Sequence, residues 1–519
     1  MNKTIPALLF LLSLCGCADT SRAPQADIGK SNGYVYANFP QRQVGRITLK
    51  QVNGEATGYL KLDWSSEITT SGVWLPQGTY RLDGWEGSDG DAYPLVKVVA
   101  GRVTDLGSIL SISVGNYQTV TLPVHHPEAD KAIEGALVSL RPSLVSQQPI
   151  EWDPKVVPLP WTQGGPAHSN LGLVGDIVNG VVWEANRPSM EKQLRNAHQI
   201  DEFFHLAKLA TPPQYRKPAA GAMDALYYGG GLGQIRVRRA NGTWDAIDTG
   251  TLSRISAVRI AGGAWYAGAE NGVVRQSLDQ GRTWRIVASV AGNEPVLDVE
   301  SSNGRLILVT EHLTHASNVI VADRLKLYTA PGNAAAAALL REIPLDGLPW
   351  PPSLSYAAQS FGNRLYIGAS HDLYVLDLAT LAWAKLVPPI AVTNFFVAPS
   401  SGLITAYHVG TFSSDLAIST DEGVTWQRHA ALPSGHADVF FASLTDGRAV
   451  LWNAAAGSSS LQSMKYNATA DQWTTDGEPV KGCGTVLHDP DFRRLGCVTS
   501  AGTILSYDGS RWVGEFSVE

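Results

Sequence analysis

Four sets of reactive side chains stand out in this sequence. Cys17 follows Leu14-Cys15-Gly16 at the end of an apolar run from Ile5. A cysteine that heads a mature chain offers both its thiol and its α-amino group for acylation, and two or three acyl chains anchor a protein stably where one does not. Cys483 and Cys497 stand equidistant from Pro490, which has an aspartate on either side. Glu311-His312-Leu313-Thr314-His315 packs a carboxylate and two imidazoles into five residues. Finally, Ser277-x-Asp279-x-Gly281-x-Thr283-Trp284 returns as Ser419-x-Asp421-x-Gly423-x-Thr425-Trp426, its tryptophans 142 residues apart.

Each set has a chemical reading and a plainer one. Two histidines hold zinc in the peptidase motif when they lie four apart on a helix with glutamate directly after the first. His312 and His315 lie three apart, and a rim loop between strands is the expectation for them. Cys483 and Cys497 have no further cysteines to complete a metal site. Strand, turn and returning strand would bring them face to face across a hairpin, and in an exported protein a disulfide there is worth about 3 kcal/mol in the chain-entropy model. Tyr227 to Gly233 is glycine-rich, but no helix follows to cradle a phosphate. His198 and His205 lie on one side of a helical pattern and are read as solvated or capping residues.

In the repeated octapeptide the physics is local. An aspartate can accept backbone N–H groups across a turn, the glycine supplies positive φ, and the tryptophan packs its large apolar area on a neighbouring hairpin. The motif therefore staples a hairpin; calcium binding or catalysis at Asp279 or Asp421 is the alternative.

The rest of the chain sets the context. One lysine, an apolar stretch too short to span a bilayer and small residues at its end describe a secretory signal. Leu14-x-Gly16-Cys17 resembles the lipobox of bacterial lipoproteins, which implies cleavage before Cys17, loss of residues 1–16 and a polar tether over residues 17–30. An ordinary signal peptide cut nearby is the alternative. A formal charge of −7 with 17% charged residues gives no basic field, so nucleic acid is set aside. The 51 Gly, 29 Pro and 15 Trp point to many short strands and tight turns.

Residues 31–125 alternate apolar and polar in strand-length runs and predict a β-sandwich. The piece LPQGTYRLDGW…VKVVAGRVTDLGSI resembles prealbumin-like or carboxypeptidase-regulatory-like modules, which implies a spacer or interaction domain. Residues 126–170 begin with a possible short helix and become a proline-dense linker or strap. Within residues 171–519, tryptophans recur at Trp244, Trp284, Trp383, Trp426, Trp473 and Trp512, mostly 39–47 residues apart. One interval of 99 is about double, so a copy without its tryptophan is expected in residues 325–345. That period, with four strands per unit, predicts an all-β propeller of seven blades, or six if the first unit is mostly insertion. The insertion, RPSMEKQLRNAHQIDEFFHLAKLATPP, has helical spacing between Pro188 and Pro212.

The octapeptide resembles the Asp-box, or BNR repeat, of sialidases, sortilin-type receptors and Ycf48-type assembly factors. The resemblance implies a propeller with the motif on its rim, away from the ligand face. It also raises a sialidase-like glycoside hydrolase as the alternative function. Such enzymes need an arginine set, and the nearest match, Arg341-Glu342-Ile343-Pro344, is interrupted and follows the first Asp-box. The main expectation is a non-enzymatic recognition or assembly module without a cofactor or metal, lipid-anchored in the cell envelope at the outer membrane, either periplasmic or surface-facing. Its partner would be an envelope protein or a glycan. Its binding face would lie opposite the Asp-boxes, near Arg254, Glu311, His312, His315, His371, His408, His436, Asp438 and Trp452.

Overall fold

The computed structural model describes most of residues 31–124, short pieces at 146–149 and 161–162, residues 189–211 apart from 198 and 199, and most of residues 227–516. Cys17, His198, His436 and the stretch 126–142 lie outside the described residues.

The N-terminal strands are β1 (Asn32–Asn38), β2 (Val44–Gln51), β3 (Thr57–Asp63), β4 (Thr70–Pro76), β5 (Gly78–Asp83), β6 (Leu95–Val98), β7 (Arg102–Ser113) and β8 (Gln118–Val124), followed by the short β9 (Ser146–Pro149) and β10 (Trp161–Thr162). They form two sheets, β10-β8-β7-β1-β4 with β9 on β7, and β3-β2-β5-β6. Inward residues of both meet in one core: Val35 and Ala37 from β1, Val73 and Leu75 from β4, Leu49, Leu60, Tyr80 and Val98 from the other sheet. Strict alternation makes this possible, because a period of two sends every second side chain to the same face.

Two helices follow, α1 (Ser189–Asn196) and α2 (Ile200–Ala210), where the sequence pattern predicts one continuous helix. Asp201 and Glu202 in the first turn of α2 and Lys208 in its last complement the helix dipole. Their buried face, Leu194, Ala197, Phe203 and Ala207, shares one cluster with Leu110 and Ile112 of β7 and with Leu232 and Leu252 of the following region. The helices are thus a wedge between the two halves of the chain. Arg236 donates to the carbonyls of Leu209 and Thr211, and Lys208 pairs with Asp248.

The remaining strands make seven successive antiparallel sheets. The first holds β11 (Tyr227–Gly229), β12 (Gln234–Arg238) and β13 (Trp244–Asp248). The second holds β14 (Ile255–Ala261), β15 (Ala264–Ala269), β16 (Val273–Ser277) and β17 (Arg285–Ser289). The third holds β18 (Val296–Ser302), β19 (Arg305–Ala316), β20 (Val319–Ala330) and β22 (Ala338–Pro349), while the intervening β21 (Ala335–Ala336) pairs in parallel with β17 of the second. The fourth holds β23 (Tyr356–Phe361), β24 (Arg364–Ala369), β25 (Asp372–Asp377) and β26 (Trp383–Leu386). The fifth holds β27 (Asn394–Val397), β28 (Ile404–Val409), β29 (Ser414–Ser419) and β30 (Gln427–Leu432). The sixth holds β31 (Asp438–Ser443), β32 (Arg448–Ala455), β33 (Ser458–Asn467) and β34 (Gln472–Lys481). The seventh holds β35 (Cys483–His488), β36 (Leu495–Thr499), β37 (Ile504–Tyr507) and β38 (Trp512–Phe516).

Neighbouring sheets pack face to face, as in a β-propeller. Val274 and Val287 of the second meet Val299 and Leu308 of the third, and Ile307 and Leu325 of the third meet Leu365 and Ile367 of the fourth. The last sheet returns to the first. Arg238 Nε lies 2.6 Å from Glu515 Oε2, and Arg236 and Trp244 both cover the Phe516 ring. This closing contact joins residues 277 positions apart, so it holds the ring together rather than any local hairpin.

Candidate functional site

Each sheet has two ends, and the chain treats them differently. At one end lie the turns joining third and fourth strands. In the second sheet Asp279 accepts from the Thr283 backbone N–H at 2.9 Å, the Thr283 hydroxyl at 2.7 Å and the Ser277 hydroxyl at 2.7 Å. Ser277 Oγ in turn accepts from Gly281 N–H at 2.8 Å, and Trp284 Nε1–H donates to the Gly281 carbonyl at 3.0 Å. The fifth sheet repeats the arrangement with Asp421, Thr425, Ser419, Gly423 and Trp426. Every carboxylate contact here is a donor from the protein's own turn. The Thr283 and Thr425 donors hold Asp279 and Asp421 at about 2, well below the ordinary carboxylate range.

Weaker copies keep only part of this. Asp377 accepts from Ala379 N–H, Thr380 N–H and the Thr380 hydroxyl; Asn467 accepts from Thr469 and Ala470 N–H, and Asn241 from Thr243. The third sheet has no tryptophan at this place, and its turn is replaced by residues 331–337, including β21.

The two full copies also reach across sheets. A Cβ on Gly281 would stand 2.8 Å from Ile247 Cγ2 on β13, and one on Gly423 2.5 Å from Leu386 Cδ1 on β26. Trp284 packs into the cluster of Ile247 and Trp265, and Trp426 into that of Phe361 and Leu386. Each motif therefore seats its glycine and its tryptophan against the outer strand of the preceding sheet.

Near this same end the inner strands are tied together. Arg259 of β14 lies 2.7 Å from Glu300 of β18 and donates to Ser360 Oγ of β23 at 3.0 Å. Glu300 is buried, and Arg259 and Glu300 hold equivalent positions in consecutive sheets, two residues before the last pair of the first turn, with Ser360 one residue nearer that turn in the next sheet.

The opposite, loop face is the elaborated one. Leu232 and Leu252, against which the helical wedge packs, lie in its turns. Strands β19, β20 and β22 each have 12 residues where their counterparts in the fourth and fifth sheets have 4 to 6, so a three-stranded extension rises there. Glu311 to His315 belong to this extension and not to a rim loop; the pairing His315↔Ile320 carries the ladder past the point where other sheets turn. Position along the strand then sorts the residues, since Glu311 and His315 share one face of β19 and only the outer of the two reaches solvent. Glu311 is buried beside Val309 and Leu313, so it offers nothing to a ligand, whereas His315 is exposed.

His312 Nδ1 lies 2.6 Å from Asp323 Oδ1, and Asp323 occupies a bulge, being skipped between the pairs His312↔Arg324 and Leu313↔Ala322. Burial would raise the Asp323 pKa, but hydrogen bonds from Arg324 and His312 hold it below the ordinary range. Beneath them Glu294, 3% exposed, accepts from Thr310 at 3.0 Å and Tyr328 at 2.9 Å and pairs with Lys326. Burial pushes the Tyr328 hydroxyl well up, as does Glu294. Glu294, Asp323, Arg324 and Lys326 are absent from the sequence-based site. Asp323, Arg324 and Lys326 share strand β20, and the chain brings Glu294 to them from the loop before β18, 32 residues from Lys326.

Of the other candidates, Arg254 Nη1 lies 3.5 Å from Glu270 between the first and second sheets. His371 and His408 come together, their rings 6.2 Å apart. Asp438 and Trp452 are paired across β31 and β32; their side chains lie outside the described ones. Cys483 pairs with Thr499 and Cys497 with Val486, three residues from Cys483, so the two cysteines are not opposite each other as equal spacing from Pro490 predicts. Arg341, the nearest match to a sialidase arginine, is exposed on an outer strand and stacks on Trp383 at 5.1 Å rather than pointing to the axis.

No family model matches this chain, and no curated protein does. Solved structures do. A chain of the mitotic checkpoint complex superposes with a TM-score of 0.41 at 13% identity, over 58% of this chain and 90% of that one. A Ycf48 chain, solved bound to a D1 peptide, superposes with a TM-score of 0.39 at 13% identity, over 57% and 93%.

Proposed function

We propose that the chain is a lipid-anchored cell-envelope protein whose seven sheets are the blades of an Asp-box propeller, and that the propeller recognises a protein or glycan partner without catalysing a reaction. In this reading Cys17 carries the acyl chains, residues 17–30 are a tether, and the two-sheet module of residues 31–125 is a sandwich spacer. The loop face is the receptor.

One observation carries the choice of face: the helical wedge and the β19-β20-β22 extension both rise on the loop side. The Asp-box carboxylates, by contrast, are taken up by their own turns, and Arg259 ties the inner strands together near that end. A ligand approaching from the loop side meets walls; from the other side it meets satisfied turns. The test is crosslinking in intact envelopes with the mature chain, followed by mass spectrometry. Replacing His408 and Trp452 together by alanine is expected to abolish capture while leaving the melting temperature nearly unchanged. Undiminished capture by the double variant would remove the loop face from consideration.

A further inference from the structure

Among the described residues no three His, Cys, Asp or Glu side chains converge as a closed metal site. An open one is a different matter. His371 and His408 come from adjacent sheets, and their imidazole centres lie 6.2 Å apart with the planes inclined at 69°. His371 sits in the two-residue turn between β24 and β25, where Ser370 has φ 49° and His371 φ 67°. Turns of that kind are the place of Asn-Gly, and a residue with a Cβ in left-handed backbone costs roughly 1–2 kcal/mol. Packing returns nothing for this cost, because His371 is exposed.

Yet the turn is pinned on both sides. Ser370 Oγ donates to the Pro344 carbonyl of β22 at 2.9 Å, and Val392 N–H donates to the His371 carbonyl at 2.9 Å. His408 is held as well: its Nδ1 lies 3.2 Å from Thr393 Oγ1, and that oxygen also accepts from Val409 N–H at 3.1 Å. With Nδ1 engaged by Thr393, Nε2 is the nitrogen left for a ligand. A hydrogen-bonded second nitrogen is how metal-binding imidazoles are oriented.

We infer that His371 and His408 form an open two-imidazole site for a borderline divalent transition ion, Zn2+, Ni2+ or Cu2+, with water completing the coordination. Two imidazoles on one zinc, at Zn–N about 2.0–2.1 Å, have ring centres roughly 5–6 Å apart, so a small swing of the exposed His371 ring closes the pair. Imidazole suits these three ions, and Cu2+ should bind most tightly of them. Two protein ligands make the site exchangeable. The inference is independent of the recognition reading, since it is measured with the metal alone.

The experiment is equilibrium titration of the mature chain with Ni2+ and with Cu2+ at neutral pH, together with electron paramagnetic resonance of the copper form. His371→Asn is the principal variant, because asparagine tolerates left-handed backbone and leaves the turn in shape. One equivalent of metal with nitrogen coordination is expected. His371→Asn and His408→Asn should each weaken it at least about tenfold, Thr393→Val should weaken it less, and His315→Ala should leave it unchanged. Absence of saturable binding, or binding that survives His371→Asn, or binding that is lost in His315→Ala instead, would overturn the site.

Discussion

Replacing Gly423 by alanine tests whether the repeated motif joins sheets as well as closing its own turn. Gly423 has φ 94°, and an added Cβ would stand 2.5 Å from Leu386 Cδ1 and 3.0 Å from Leu386 Cδ2 on the outer strand of the preceding sheet. The backbone contribution is roughly 1–2 kcal/mol. Crowding adds to it, and since overpacking costs about 1–3 kcal/mol and the far end of Leu386 can give way, about 1 kcal/mol is the reasonable share. The total is about 2–3 kcal/mol. Gly250 supplies the reference: its φ is 77°, but a Cβ there meets nothing within 4 Å. Gly250→Ala should therefore show the backbone cost alone. Urea denaturation followed by tryptophan fluorescence would compare the two, with Leu386→Ala combined with Gly423→Ala to close a double-mutant cycle. The double variant should recover the crowding share. If Gly423→Ala costs no more than Gly250→Ala, or if Leu386→Ala restores nothing, the motif acts only within its own hairpin.

Phe203→Ala empties the centre of the wedge and should cost about 3–5 kcal/mol, splitting one calorimetric transition into two as the N-terminal sheets and the propeller uncouple. Glu294→Ala leaves Lys326 and Tyr328 without their shared acceptor, and about 3–5 kcal/mol of lost stability by denaturant melt is expected. The pKa values of Asp279 and Asp421 are lower in the folded protein than in the unfolded chain. Their contribution is therefore complete above the unfolded value and is lost as pH falls from there through about 2. Acid titration of a variant with asparagine at both positions should show a shallower loss over that window than the parent.

The repeat was legible because its causes are local. Tryptophan spacing, a glycine before several outgoing strands and alternating inward residues all act within about forty residues, and a copy without tryptophan could be inferred from one doubled interval; β20 and β22 lie there. The break between α1 and α2 was not legible, since the apolar spacing from Met190 to Leu209 fits one continuous helix as well as two. Nor was the register of Cys483 and Cys497. Equal spacing from Pro490 predicts facing residues only if the hairpin is centred there, and the pairs Leu487↔Gly496 and Val486↔Cys497 already set the strands three residues off that register, before the bulge at Gly484.

The loop face was harder to read for a physical reason. A strand that outruns its neighbours has the same alternation as one that does not, so nothing in EHLTHASNVIVADR distinguishes a rim loop from a rising hairpin. Its polar residues look available in sequence, yet pairing buries Glu311, gives His312 to Asp323 and leaves His315 exposed. The elements that shape this face are insertions into the repeat. Their partners lie far along the chain: Leu110 with Phe203 and Leu252, Glu294 with Lys326, Ser370 with Pro344. Repetition reports what all the blades share, whereas a binding face is made where they differ. The informative substitutions are therefore those in residues that only one sheet possesses, and His371, an imidazole held in a turn that would favour glycine or asparagine, is the clearest of them.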